Sequence, residues 1–272
     1  MLSPCDQRTT VTRDRQSGRC HACPRLLRCK SYVDEVNVVA IGILAVVTSL
    51  GVGAGGTDDV RWNKGSGPQQ MSKGIPNPPG WYRAAVGPRT HDKVLYLTFD
   101  DGPAPATSSL LRALRRHDAT ATFFVSGQAA AADKSTIRRM HRDGHAIGNH
   151  TWDHPRLTQI STRKVHWQLR HPERLIRLDS CMRPPYGLIN ERVAKVALGL
   201  GFQPVMWTAH IDDWSPHSQR WTVRALRKAT SPGAVILMHD THATTVSAVR
   251  TMLPKWQKMG YRFAVVPACE PG

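Results

Sequence analysis

Val94-Leu-Tyr-Leu-Thr-Phe-Asp-Asp-Gly-Pro103 is an apolar run that ends in two adjacent carboxylates, Asp100 and Asp101. Neighbouring carboxylates repel each other, and the end of a strand cannot bury both. A cation relieves the pair, or the two divide their work, one binding metal and the other taking a proton. A plain Asp-Asp-Gly-Pro turn after a strand also fits, because Asp, Gly and Pro all favour turns. The rest of the chain decides between these readings.

Outward from this segment, apolar runs alternate with amphipathic stretches. Strands are predicted at 94–99, 121–126, 145–149, 181–183, 203–208, 234–238 and 261–266. Helices are predicted between them, near 106–117, 134–143, 161–178, 189–200, 218–229 and 244–259. Leu110, Leu111, Leu114 and His117 fall at helical spacing, as do Val193, Ala197 and Leu200. Such alternation implies a parallel sheet, either a barrel or a doubly wound sheet. There is no glycine-rich dinucleotide fingerprint, which favours an α/β fold built as a (β/α) barrel of about seven parallel strands.

Sites in such barrels sit at the carboxyl ends of the strands. Reading those ends in order gives Asp100-Asp101, then His150-Thr-Trp-Asp-His154, Arg183-Pro-Pro-Tyr-Gly187, Trp207-Thr-Ala-His-Ile-Asp-Asp-Trp214 and Ile236-Leu-Met-His-Asp240. His150 and His154 are four residues apart, a spacing that lets two imidazoles meet one ion. A pair of surface histidines is the bland alternative in a chain with 13 of them. Recurrence of ionisable residues at five strand ends argues for a site.

These segments resemble the polysaccharide deacetylase family, also called the NodB-homology or carbohydrate esterase family 4 enzymes. Five motifs match in the family's order over about 93–267: Thr98-Phe-Asp-Asp-Gly-Pro103, His150-Thr-Trp-Asp-His154, Arg183-Pro-Pro-Tyr186, Asp213-Trp214 and Leu237-Met-His239. The resemblance implies a distorted (β/α) barrel of about seven strands. It also implies a divalent metal on Asp101, His150 and His154, with Asp100 as general base, Arg183 pairing with and orienting Asp100, and His239 as general acid. The backbone N–H of Tyr186 would help hold the oxyanion, and Leu237 and Trp214 would wall a pocket for the acetyl methyl group. Zinc suits one carboxylate and two imidazoles, and cobalt, nickel or manganese could substitute. One departure stands out. Family members often carry an Asp three residues before the Asp-Trp pair, in support of the catalytic histidine, and here that position is His210. Support from Asp212, Asp213 or Asp240 and a reduced or shifted activity are the expectation.

The implied reaction is removal of N-acetyl groups from an amino-sugar polysaccharide, peptidoglycan first and chitin oligomers next. O-deacetylation of acetylxylan and a catalytically silent carbohydrate-binding barrel are the alternatives. The formal net charge is +17, from 37 Lys and Arg against 20 Asp and Glu. Seven of the basic and four of the acidic residues lie within 1–57, which leaves 30 against 16 in the remainder. The excess therefore belongs to the main domain, and favours an anionic cell wall as partner. The basic residues are scattered and no nucleic-acid motif is present, so no nucleic-acid partner is expected. A monomer is expected.

Residues 1–35 read as a polar, basic, disordered N-terminus. Residues 36–56 read as a hydrophobic signal or anchor, with Val36 to Gly53 uncharged, marginally enough at about eighteen residues to reach across a bilayer core. Arg25, Arg28 and Lys30 precede it and small residues follow. Residues 57–92 form a linker rich in Gly, Pro, Ser, Gln and Asn, and 93–267 the catalytic domain. The expected location is extracellular or at the cell surface, with a membrane contact through 36–53 if the segment is retained. Cys20, Cys23 and Cys29 look like half of a zinc site, lacking a second ligand pair. Whether Cys181 and Cys269 form a disulfide is open, since sequence does not fix geometry.

Overall fold

The computed structural model describes residues 92–270. The leader at 36–56, the tail before it, nearly all of the linker and the Cys20–Cys23–Cys29 group lie outside the described residues. No helix among those described is long and apolar enough to cross a membrane.

The sheet is built around β1 (Val94–Asp100), whose seven residues are all buried. On one side it pairs with β7 (Ala234–His239), in register from Leu95↔Ala234 to Asp100↔His239. On the other it pairs with β2 (Thr122–Val125) through Thr98↔Thr122, and beyond lie β3 (Ala146–Asn149), β4 (Cys181–Met182) and β5 (Gln203–Pro204). The far edge next to β7 is β6 (Ala209–His210). All of these pairings are parallel, and the order is β5-β4-β3-β2-β1-β7-β6, with β8 (Arg262–Phe263) added beside the start of β1.

Seven helices are present among the described residues: α1 (Thr107–Arg116), α2 (Gly127–Ala132), α3 (Lys134–Arg142), α4 (Thr162–Glu173), α5 (Glu191–Gly199), α6 (Gln219–Ala229) and α7 (Ala243–Lys258). Ser126, Asp133, Ser161, Asn190 and Ser218 cap five of them, each side chain accepting a backbone N–H three residues on. Such caps satisfy donors that a helix start leaves unpaired. The sequence pattern does not predict α2, because a six-residue Gly-Gln-Ala stretch carries no amphipathic period.

Alternation along β1 separates two cores. Leu95, Leu97 and Phe99 point outward into a cluster with Leu110 and Leu114 of α1 and Met252 and Trp256 of α7. Val94 and Tyr96 point inward with Phe124, Val205, Trp207, Val235 and Leu237. Thr98 and Asp100 share the inward parity, so the first acid of the pair is delivered to the inside of the curl.

The predicted strand 203–208 is strand only at its start, β5, and then runs as a crossing to β6 on the opposite edge of the sheet. Val205 N–H still bonds Met182 on β4, whereas Thr208 N–H bonds Val235 on β7. Four residues therefore cross the open side, and the sheet is a curled half-barrel closed by a chain crossing instead of a ladder. The buried guanidinium of Arg183 serves two of the crossing carbonyls, donating from Nε to Val205 at 3.2 Å and from Nη2 to Met206 at 2.9 Å. Buried carbonyls without a ladder need such donors.

Cys181 and Cys269 form a disulfide that ties β4 to the turn at Pro267–Cys269. Gly148 of β3 sits beneath it: a Cβ there would lie 2.5 Å from the Phe124 ring and 2.8 Å from Cys181 Sγ.

Candidate active site

Two adjacent residues of a strand point to opposite faces, so Asp100 and Asp101 can share a site only if the strand ends between them. It does. Asp101 has φ 74, in the left-handed region, and its N–H bonds the Phe124 carbonyl at 3.1 Å. Asp100 stays inside, 3% exposed. Arg183 Nη1 donates to Asp100 Oδ1 and to Thr98 Oγ1, each at 2.8 Å, and Thr98 Oγ1 donates to the Ile236 carbonyl. Burial pushes the Asp100 carboxyl above its usual range, with the Arg183 charge pulling against it.

The histidine loop follows β3. Thr151 and His154 both have positive φ, 69 and 60. The turn is held by Asn149, which accepts the Thr151 N–H and donates to the Leu169 carbonyl, and by Gln168 of α4, which accepts from Trp152 and Asp153 N–H. Thr151 Oγ1 accepts the His154 N–H. Wound in this way, the loop brings both imidazoles to Asp101. His150 Nε2 and His154 Nε2 each lie 3.5 Å from Asp101 Oδ1, and one ligand atom from each of the three residues falls within 4.8 Å of the others.

The protonation of this cluster follows from its hydrogen bonds. His150 Nδ1 lies 2.7 Å from the Arg183 carbonyl. A carbonyl can only accept, so Nδ1 carries the proton and Nε2 presents a lone pair to the Asp101 oxygen. Burial lowers the His150 pKa to about 3, so the ring is neutral and the contact is not an ion pair. A lone pair aimed at a carboxylate oxygen is repulsive until a cation stands between them. Ligand atoms 2.0–2.2 Å from a tetrahedral ion would be about 3.4 Å apart, close to the 3.5 Å seen here. Asp101, His150 and His154 therefore fit a divalent cation, and the carbonyl behind His150 is the outer support such ligands use.

On the other side, β7 ends at His239, level with Asp100 in the ladder. Asp213 holds it twice, through Nδ1 and through the backbone N–H, both at 2.8 Å, and Thr245 Oγ1 donates to the same carboxylate. Burial alone would lower the His239 pKa, but the hydrogen bond and charge of Asp213 outweigh it and push the value up to about 9. Nε2 is left facing the site, 4.0 Å from Asp101 Oδ2. Of the three acids considered for this support, Asp213 makes the contact. Asp212 turns away at φ 50 and pairs with His210 at 2.9 Å, while Asp240 is buried against Thr107.

Leu237 lies 5% exposed in the inner core. Trp214 is half exposed, stacked on His210 and edge-on to His239. Tyr186 has φ 60 and a half-exposed ring whose centroid is 4.6 Å from that of His154. Sequence reasoning did not single out Thr98 or Thr245. Thr98 could have been found, since it shares the parity of Asp100 in the same strand. Thr245 could not, because its role depends on how α7 docks.

Fold and site together define a parallel α/β half-barrel carrying, at the carboxyl ends of its strands, an Asp-His-His cluster that could hold a metal ion, flanked by an arginine-held carboxylate and a carboxylate-held histidine. A family model described as polysaccharide deacetylase matches residues 87–205. The peptidoglycan-N-acetylglucosamine deacetylase PgdA of Listeria monocytogenes is 34% identical over 181 residues, which span 64% of this chain but 38% of that relative. The peptidoglycan-N-acetylglucosamine deacetylase of Bacillus cereus is 34% identical, over 65% of this chain and 87% of that protein. The solved structure of the peptidoglycan deacetylase PdaC from Bacillus subtilis superposes with a TM-score of 0.62 at 31% identity, covering 66% of this chain and 91% of that one. The chain belongs to the polysaccharide deacetylase family.

Proposed function

We propose that this protein is a metal-dependent deacetylase that hydrolyses the N-acetyl groups of amino sugars in peptidoglycan, with chitin oligomers as the second substrate class. The observation that carries the reading is the meeting of a neutral, outward-facing imidazole lone pair on His150 with the Asp101 carboxylate and His154, between Asp100 on one side and His239 on the other. Asp101, His150 and His154 would hold the cation, and this donor set suits zinc, with cobalt, nickel or manganese as substitutes. When bound, such an ion supplies Lewis acidity toward a carbonyl and a water.

The protein's own groups account for the proton transfers. Asp100, raised by burial yet held in place by Arg183, takes the proton of the attacking water. Arg183 cannot give up its own proton, so it orients the base without competing for that role. His239 carries its proton on the nitrogen facing the site and passes it to the departing amine, which leaves poorly unless protonated. The Tyr186 N–H, in its left-handed turn, is assigned to the oxyanion. Leu237 and Trp214 are assigned to the walls around the acetyl methyl. A cell-wall substrate accords with the basic domain, and a disulfide accords with folding in an oxidising compartment. On that basis the protein is proposed to act outside the cytoplasm.

Acetate release from peptidoglycan, chitin oligomers and acetylxylan, with and without chelator, tests the reading. Release should require metal and favour the first two glycans. Asp101→Ala should lose bound metal and turnover together. Asp100→Asn should keep the metal while turnover falls by roughly 10²–10⁴-fold, the range for a general base. Full activity in both variants would overturn the mechanism.

A further inference from the structure

One cation at the mouth of the site has no part in the chemistry above. Arg156 follows His154-Pro155 directly, and its guanidinium carbon lies 4.6 Å from the centroid of the Tyr186 ring. That ring in turn meets the ring of His154. Arg139, Arg170, Arg183 and Arg262 are paired with carboxylates, whereas Arg156, among the described residues, is paired with none. Both Arg156 and Tyr186 are exposed. The segment that carries Arg156 is nevertheless fixed: Arg192 Nη2 donates to the carbonyls of Leu157 and Thr158, and the Gln159 N–H bonds the Arg156 carbonyl. A guanidinium laid on an aromatic ring keeps its N–H edges free and is already oriented. Less side-chain freedom is lost when it meets a ligand.

The geometry points to Arg156 as a specificity residue that recognises a carboxylate on the amino sugar being processed. Muramic acid, one of the two sugars of peptidoglycan, bears a lactyl group on O3, next to the carbon that carries the acetamido group, and its carboxylate is free wherever no stem peptide is attached. With the acetamido group at Asp101, His150 and His154, an O3 substituent lies within one sugar's width, and Arg156 stands two ring contacts from His154. Chitin oligomers offer only neutral hydroxyls at that place. The inference rests on the deacetylase reading for the placement of the sugar, but binding alone can test it.

The test titrates the full-length protein with three ligands: a muramyl disaccharide with a free lactyl carboxylate, the same disaccharide as the lactyl carboxamide, and chitobiose. Wild type should prefer carboxylate over carboxamide by about tenfold, the scale of one charge-assisted contact. The preference should shrink as salt is raised. In Arg156→Gln it should vanish, while chitobiose affinity stays unchanged and reports that the site is folded. Arg156→Lys should restore part of it. No preference in wild type, or an undiminished one in Arg156→Gln, would overturn the assignment. Acetate release followed in the same samples separates the two readings. Its absence from every glycan would count against the deacetylase, whereas the carboxylate preference is read from binding.

Discussion

At the scale of single residues, the donor side of the site turns on which of two adjacent acids faces inward. Asp213 is buried and grips His239 through both carboxylate oxygens, while Asp212 is exposed and takes His210 as its partner. Asp213→Asn should therefore lower kcat for acetate release by about 10²-fold, near the bottom of the general-acid range, with KM for the glycan little changed. His210→Ala should alter kcat by no more than about threefold, because a surface pair contributes little. Equal losses in the two variants would show that His210 supports the donor after all. The acids and histidines of this site were legible in the sequence because each stands where an apolar run stops. The choice between Asp212 and Asp213 was not. It is made by a single left-handed residue at φ 50, which turns one carboxylate out and the next one in, and no side-chain pattern announces that turn.

At the scale of elements, the histidine loop and Arg183 both hang from the β3–β4 pair, and that pair is braced from behind by the disulfide. Gly148 leaves room for Phe124 and the Cys181 sulfur, both closer to a would-be Cβ than 3 Å. Gly148→Ala should cost about 1–3 kcal/mol, as overpacking of a tight core does, measured by denaturant unfolding. Cys181→Ala/Cys269→Ala releases a crosslink between residues 88 apart, and the loop-entropy relation puts its loss at about 4.6 kcal/mol. Reductant should lower the melting temperature of wild type and leave the double variant unmoved; a wild type indifferent to reductant would show that the bond is not formed. The helices and strands themselves were mostly legible, since β1, β2, β7 and the long helices carry clear apolar periods. The stretch 203–208 misled because an apolar run has no way to signal that its two ends join different edges of the sheet. The disulfide needed the fold as well, because it links residues brought together only when the C-terminal turn packs on β4.

At the scale of the whole molecule, one buried carboxylate ties the first strand's loop to the first helix and the last long strand. Asp240 follows β7 and is fully buried. Thr107 of α1 accepts the Ala104 N–H and so gives its own proton to Asp240 Oδ2, while Oδ1 has no partner. Gly102 packs on the same carboxylate, with the position of a Cβ only 2.3 Å from its oxygens. Burial, the largest influence, pushes the pKa from 3.8 up to about 7. The sign follows from proton uptake. Between these two values the folded protein holds a proton that the unfolded chain has released, so the stabilisation is complete below pH 3.8 and is lost as pH rises toward 7. The full loss corresponds to about 4 kcal/mol, from roughly 1.4 kcal/mol per pH unit. Asp240→Asn keeps an acceptor for Thr107 but cannot ionise. Its amide brings two N–H donors where the protonated acid has one O–H, and the additional donor without an acceptor costs about 1–3 kcal/mol at every pH. The variant should therefore be the less stable protein near pH 4, gain on wild type through pH 5 and 6, and match or exceed it by pH 7.5. Unfolding free energies from urea titrations of the chelator-treated proteins across this range would show the two curves converging and then crossing. Parallel curves would mean that Asp240 is ionised in the fold throughout, and that its unpartnered oxygen is satisfied by solvent.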